Sequence, residues 1–332
     1  MPNIGRQTSK RAIGLALVLG AVLVVLGYST ISNSPSANAV APLQTQVGVQ
    51  PPAAIKPSQT DLKHAPTGTA DLTWNAKLQA LTVTINMSGL APGSTHLADI
   101  GQGSCALPGT VVVASLTPVV AKASPSQATN PPTPPASGKK GGGGSEASSK
   151  TTITPTTTPQ IKTGIPKSGW FIDVHNGPTL AVDKTSIACG DISNFNTSAI
   201  TNQFVNLTLG PTIDPNQAAN GVAILSIANG QLTVTITMSG LALGSTHQAH
   251  IHQGSCRAQG PVLYPLNPVV TKNGVGTSTT IIPKVTSIAK GWYINVHLAA
   301  TAAELSTQTG FDPLVCGDVS TSASPEGTPS AS

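Results

Sequence analysis

Arginine is nearly missing from this chain once its first 39 residues are set aside, for Arg257 is then the only one left. Three of the 17 basic residues fall in residues 1–39, which hold no acid, so the remainder carries 14 basic against 12 acidic groups. That balance supplies no basic stripe to follow a phosphate backbone and excludes a nucleic-acid surface. Aromatics are 3% and charged residues 9% of the chain, and no apolar pattern with a helical period runs for a useful length. A helical architecture is therefore excluded as the main theme, while the abundance of Thr, Ser, Gly and Pro suits short strands and turns. We expect an all-β protein.

Long apolar runs are also scarce. One stands near the N-terminus, 17 uncharged residues from Ala12 to Tyr28, behind Arg6, Lys10 and Arg11 and ahead of the small-residue site Ala37-Asn38-Ala39. It reads as a signal peptide cleaved after Ala39 or as an uncleaved anchor at the lower limit for spanning a bilayer. Either way the remainder is exported, secreted or extracytoplasmic, with membrane contact only through residues 12–28.

The exported part is a duplication. Leu81-Thr82-Val83-Thr84-Ile85-Asn86-Met87-Ser88-Gly89-Leu90 matches Leu232-Thr233-Val234-Thr235-Ile236-Thr237-Met238-Ser239-Gly240-Leu241, and Gly169-Trp170-Phe171-Ile172-Asp173-Val174-His175 matches Gly291-Trp292-Tyr293-Ile294-Asn295-Val296-His297. Each copy ends in Cys-Gly-Asp, at Cys189-Gly190-Asp191 and Cys316-Gly317-Asp318. Two domains follow, too long to be solenoid repeats: repeat 1 over 40–197 and repeat 2 over 198–320. Repeat 1 carries extra residues at 124–160, rich in Pro, Gly and Ser, which read as a disordered insertion in a loop; residues 321–332 read as a tail of the same kind. Residues 40 to about 63 supply either a first strand or a spacer.

Within each copy the strands alternate. Leu232, Val234, Ile236 and Met238 take every second position, which turns one face to a core and a row of threonines to the other. Strand-length runs separated by turn residues favour an antiparallel sandwich or barrel for each repeat.

The cysteines, only four, fall two per repeat at matched positions in a chain bound for an oxidising compartment, which predicts bridges Cys105–Cys189 and Cys256–Cys316. In the chain-entropy model each is worth about 4 kcal/mol. A shared four-thiolate metal site would need a close Cys pair, and the sequence has none.

Histidine gives the sharpest contrast between the copies. Repeat 2 reads Thr246-His247-Gln248-Ala249-His250-Ile251-His252-Gln253-Gly254-Ser255-Cys256, and repeat 1 has Asp99 for His250 and Gly101 for His252 within the same frame. On a strand His250 and His252 share one face. His297 ends a strand whose Trp292, Ile294 and Val296 turn inward, so the three imidazoles meet on an outer face if the strands are neighbours. Three imidazoles suit copper or zinc, with a fourth position open. The competing reading is a solvated strand face with no ion. His247 lies on the opposite parity and persists as His96 in the copy that lost the other two, which points to a supporting role beside the ligands rather than ligation. Repeat 1 keeps only His96, His175 and Asp99.

These residues resemble the Cu,Zn superoxide dismutase-like superfamily and, within it, the chordin-type (CHRD) domain. The superfamily likeness rests on His247-x-x-His250-x-His252, a Gly-x-Cys soon after, a later strand ending in His297, and the terminal Cys316-Gly317. Likeness to CHRD rests on His250-Ile251-His252-Gln253-Gly254, Gly260-Pro261-Val262 and Tyr293-Ile294-Asn295-Val296-His297. The resemblance implies a Greek-key β-sandwich in two tandem copies, copper at His250, His252 and His297, and a bridge from Cys256 to Cys316. The chain departs from a dismutase in having no histidine between His252 and His297 to bridge copper to zinc. It also has Asp312-Pro313-Leu314-Val315 where that family has its guiding arginine. Three functions compete on these grounds: an exported metal-binding or structural module, a copper-dependent superoxide dismutase-like enzyme, and a cell-surface adhesion module with an unspecified protein partner.

Overall fold

The all-β expectation holds in the computed structural model, which describes residues 57–123, 146–154 and 156–320. The signal or anchor at 1–39, the tail at 321–332 and residues 124–145 of the insertion lie outside the described residues. Among the described residues no helix is long and apolar enough to cross a membrane.

The strands before residue 198 are β1 Ser58–His64, β2 Thr67–Asn75, β3 Ala80–Ser88, β4 Thr95–His96, β5 Ala98–Ser104, β6 Leu107–Ser115, β7 Val119–Ala121, β8 Ala147–Ile153, β9 Trp170–His175 and β10 Ser186–Ile192. Those after it are β11 Gln203–Leu209, β12 Asn220–Ala228, β13 Gln231–Ser239, β14 Thr246–Gln253, β15 Val262–Lys272, β16 Val275–Pro283, β17 Trp292–His297 and β18 Pro313–Asp318.

In repeat 2 the strands close a barrel in the order β1-β12-β13-β16-β15-β14-β17-β18. Strands β14, β15 and β16 follow one another, and β17 returns to lie beside β14, which is the Greek-key order. Alternation builds the core as the sequence predicts: Leu232, Val234, Ile236 and Met238 of β13 are buried and pack with Ala249, Ile251, Ile294 and Val296. Repeat 1 has the same succession divided between two sheets, β10-β9-β5-β6 and β11-β2-β3-β8-β7-β4. The division falls where β4 gives way to β5 and β6 to β7.

Reading all of 124–160 as disordered is corrected over Ala147–Ile153, which form β8 antiparallel to β3. Ala147, Ser149 and Ile153 turn inward, and Ile161 in the following 3₁₀ turn Pro159–Thr163 is fully buried. Small and hydroxylated residues hid this strand, because its inward positions carry little apolar signal.

The first strand of each sequence repeat sits in the other repeat's sheet. β1 pairs with β12, Ser58 opposite Leu225 and Leu62 opposite Gly221, and with β18, Lys63 opposite Cys316. Its Leu62 belongs to the core of repeat 2. In return β11 pairs with β2, Gln203 opposite Trp74, and adds Val205, Leu207 and Leu209 to the core of repeat 1.

The exchange accounts for the Cys-Gly-Asp that ends each copy. A Cβ on Gly317 would stand 2.4 Å from the Asp61 carbonyl oxygen of β1, and one on Gly190 would stand 2.3 Å from that of Thr208 in β11, so each glycine admits the incoming strand. The cysteines form the bridges Cys105–Cys189 and Cys256–Cys316. The aspartates accept the backbone N–H of the opposite cysteine, Asp191 from Cys105 and Asp318 from Cys256, each at 2.7 Å.

Candidate metal centre

Antiparallel pairing of β14 with β17 sets Ile251 opposite Ile294 inside the barrel, and His250 opposite Asn295 and His252 opposite Tyr293 on the other face. His297, two residues beyond Asn295, is diagonal to His250, a spacing that long side chains span. The three rings form a near-equilateral triangle with centroids 5.1 Å apart for His250–His297 and 5.6 Å for both His250–His252 and His252–His297. One ligand nitrogen from each ring lies within 4.8 Å of the other two, and His250 Nδ1 is 3.1 Å from His297 Nε2. A tetrahedral ion held by imidazoles at about 2.0–2.1 Å has ligand edges of about 3.3–3.4 Å, so the His250–His297 edge of 3.1 Å is already near this length and the widest must shorten on binding.

The face is not open to solvent as the alternation of β17 predicts. All six residues of β17 are buried, and His250, at 9% exposure, is the most accessible of the three histidines. Two loops cover the face. The turn after β14 brings the Gly260 carbonyl to accept from His252 Nδ1 at 3.1 Å, and the segment before β18 brings the Phe311 carbonyl to accept from His297 Nδ1 at 2.6 Å. The Phe311 ring packs against His297 with centroids 4.8 Å apart, and Tyr293 stacks on His252 at 4.9 Å. Neither Gly260 nor Phe311 is signalled in the sequence as part of a site.

A carbonyl can only accept, so each of those Nδ1 atoms carries the proton and each Nε2 keeps its lone pair. His252 Nε2 is buried without a hydrogen-bond partner. Burial holds all three rings neutral, lowering His250 to about 4, His252 to about 3, with a further lowering from His250, and His297 well below the usual histidine value. Neutral imidazoles that each bring a nitrogen within 4.8 Å of the other two suit a cation such as copper or zinc, and an orphaned buried acceptor otherwise costs about 1–3 kcal/mol.

His247 stands apart from the triangle. Its Nδ1 lies 3.0 Å from the His297 carbonyl, and His96 Nδ1 in repeat 1 lies 3.0 Å from that of His175. The same bond in both copies ties β14 or β4 to the end of the neighbouring strand, whether or not the other histidines are present. Arg257 pairs with Glu146 at 3.2 Å on the surface.

Repeat 1 fills the matching place differently. His175 Nε2 is 3.1 Å from Asp99 Oδ2 and 3.8 Å from Asp173 Oδ2. Burial alone would lower the His175 pKa, but the hydrogen bond that it donates to Asp99, the charge of Asp173 and the Lys184 carbonyl outweigh it and raise it to about 9. Burial raises Asp173, and His175 and Ser186 oppose that rise. The ring of Phe171 reaches to 2.4 Å from where a Cβ on Gly101 would be, so an aromatic side chain takes the space that His252 occupies in repeat 2.

No curated protein matches the chain. A protein-family model described as the CHRD domain matches residues 203–306, a stretch that runs from the start of β11 and contains His247, His250, His252, Cys256 and His297.

Proposed function

We propose that this is an exported protein of two tandem CHRD-like repeats, related in fold to the Cu,Zn superoxide dismutase-like superfamily, whose repeat 2 binds one copper or zinc ion through His250, His252 and His297. The observation that carries the reading is the buried, partnerless Nε2 of His252 in a cluster whose three neutral imidazoles each bring a nitrogen within 4.8 Å of the other two. His247 supports the site through the His297 carbonyl. The CHRD match over 203–306 and the two disulfides support an extracellular setting. The ion serves in metal capture or braces repeat 2.

A copper-dependent superoxide dismutase-like activity is the second reading. It is favoured by His250, which at 9% exposure is the most accessible of the three histidines. The surface ion pair of Arg257 with Glu146 counts against it, because the carboxylate partly offsets the charge of the arginine that would steer an anion.

Metal content of exported residues 40–332, measured by mass spectrometry beside the His250→Asp/His252→Gly double variant that copies repeat 1, tests the first reading. About one copper or zinc per chain, absent from the variant, is expected; no metal in the unaltered chain overturns it. Superoxide consumption lost together with the ion in His297→Ala separates the enzyme from the module.

A further inference from the structure

We propose that repeat 1 positions the metal ligands of repeat 2, acting through Gln259 and Gln308; the inference rests on the metal-binding reading of the three histidines. A metal-bound imidazole needs its other nitrogen held, and the group that holds it sets ring orientation and affinity. Here both holding groups are backbone carbonyls outside the strands, Gly260 for His252 and Phe311 for His297. A carbonyl on a loop is fixed only as well as the loop.

Each loop is tied to repeat 1 close to its carbonyl. Gln259, next to Gly260 and 2% exposed, donates its Nε2 to the Gly89 carbonyl at 2.8 Å. Its Oε1 faces Asn295 Nδ2 at 3.5 Å, which ties the loop back to β17 between Tyr293 and His297. Gln308 begins the helical turn Gln308–Phe311 and pairs with both backbone groups of Thr95, accepting from its N–H at 3.0 Å and donating to its carbonyl at 2.6 Å. Beyond Phe311, the fully buried Asp312 accepts from the Ala91 N–H at 3.0 Å. The Phe311 carbonyl thus lies between two anchors on repeat 1.

Two independent loops, each orienting a different ligand, dock on the same short stretch of the repeat that has Asp99 and Gly101 in place of two of the three histidines. Repeat 1 therefore needs Gly89 to Thr95 intact and not a metal of its own. His250 has no such tie, its ring meeting His297 instead.

The test uses the full exported chain with Gln259→Ala, Gln308→Ala and the milder Gln308→Glu, which keeps the acceptor for the Thr95 N–H and loses the donors. Zinc affinity is measured by chelator competition, and nitrogen-15 imidazole spectra of the metal-free proteins report the tautomer of each ring. Each alanine variant should bind zinc about 10-fold more weakly or worse. Gln308→Ala should disturb the Nδ1–H signal of His297 and spare that of His252, with the reverse for Gln259→Ala. Loss of stability alone would not divide the two rings in this way. If an alanine variant does not fold, Gln308→Glu carries the same comparison for His297. No zinc or copper in the unaltered chain overturns the metal-binding reading and this one with it. Metal bound by the unaltered chain and, within twofold, by every variant, with unchanged ring signals, overturns this one alone.

Discussion

His175 Nε2 lies 3.1 Å from Asp99 Oδ2, and at the matching place in the other repeat His297 Nε2 lies 3.1 Å from His250 Nδ1. One strand pair thus holds a charged couple in repeat 1 and a neutral couple in repeat 2, and the two respond to pH in opposite senses. For His175 the folded pKa of about 9 lies above the unfolded value of about 6.5, so the imidazolium's contribution is complete below 6.5 and disappears as pH rises through 9. Its size is on the order of 3 kcal/mol for this nearly buried group. Urea unfolding at pH 6 and pH 10 should show the unaltered chain losing more stability with rising pH than His175→Gln; parallel profiles would remove the ion pair from the account. In metal-free repeat 2 the three histidines have lowered values, so their contribution is present above 6.5 and declines as pH falls toward 4 and below.

The close approach of β1 to Gly317 makes a second prediction. In Gly317→Ala the new Cβ meets the Asp61 carbonyl oxygen, a backbone atom that cannot swing away, so β1 must leave its register with β18. A cost of about 1–3 kcal/mol is expected, typical of overpacking. Gly210→Ala is the control, since nothing lies within 4 Å of a Cβ there, and it should fall within about 0.5 kcal/mol of the unaltered chain. Equal effects in the two variants would show that the barrel accommodates β1 loosely.

Exchange of first strands means that damage appears in the repeat to which the deleted sequence does not belong. Removing residues 40–64 takes Leu62 from the core of repeat 2 and leaves β12 and β18 without their shared neighbour, while β11 stays in place on β2. Hydrogen exchange should therefore quicken at the amides of β12 and β18 and stay slow in β2 and β3. A synthetic peptide of residues 57–64 should restore protection. Loss of protection confined to repeat 1 would refute the exchange.

Much of this site is legible in the sequence because it rests on strand parity. His250 and His252 are two apart on one strand, His297 ends another repeated block, and the cysteines are paired by their positions in the duplication. What is not legible depends on partners distant along the chain. Nothing in Ser58–His64 says that it prefers β12 to β2, since edge pairing is set by backbone groups that every residue carries. The carbonyls of Gly260 and Phe311 leave no side-chain signature for the same reason, and the buried state of His252 and His297 follows from loops whose path no periodicity records. Strand β8 escaped notice because Ser149 and Ala147 turn inward where a core strand ordinarily carries Val or Ile.

Metal removal should separate the repeats thermally. An ion that binds only the folded site stabilises it by about 2.7 kcal/mol when present at 100 times its Kd. That gain belongs to repeat 2, where Trp292 lies in the core, while Trp74 and Trp170 pack in repeat 1. In a Trp74→Phe/Trp170→Phe background, Trp292 fluorescence reports repeat 2 alone, and adding a chelator should lower its melting temperature by several degrees. The His250→Asp/His252→Gly variant should melt at one temperature with or without chelator, because it keeps only one of the three imidazoles. A chelator shift of equal size in both proteins would place the ion elsewhere in the chain, and no shift once the chelator has stripped the metal would mean that the ion binds the unfolded chain as tightly as the folded one, which overturns the prediction.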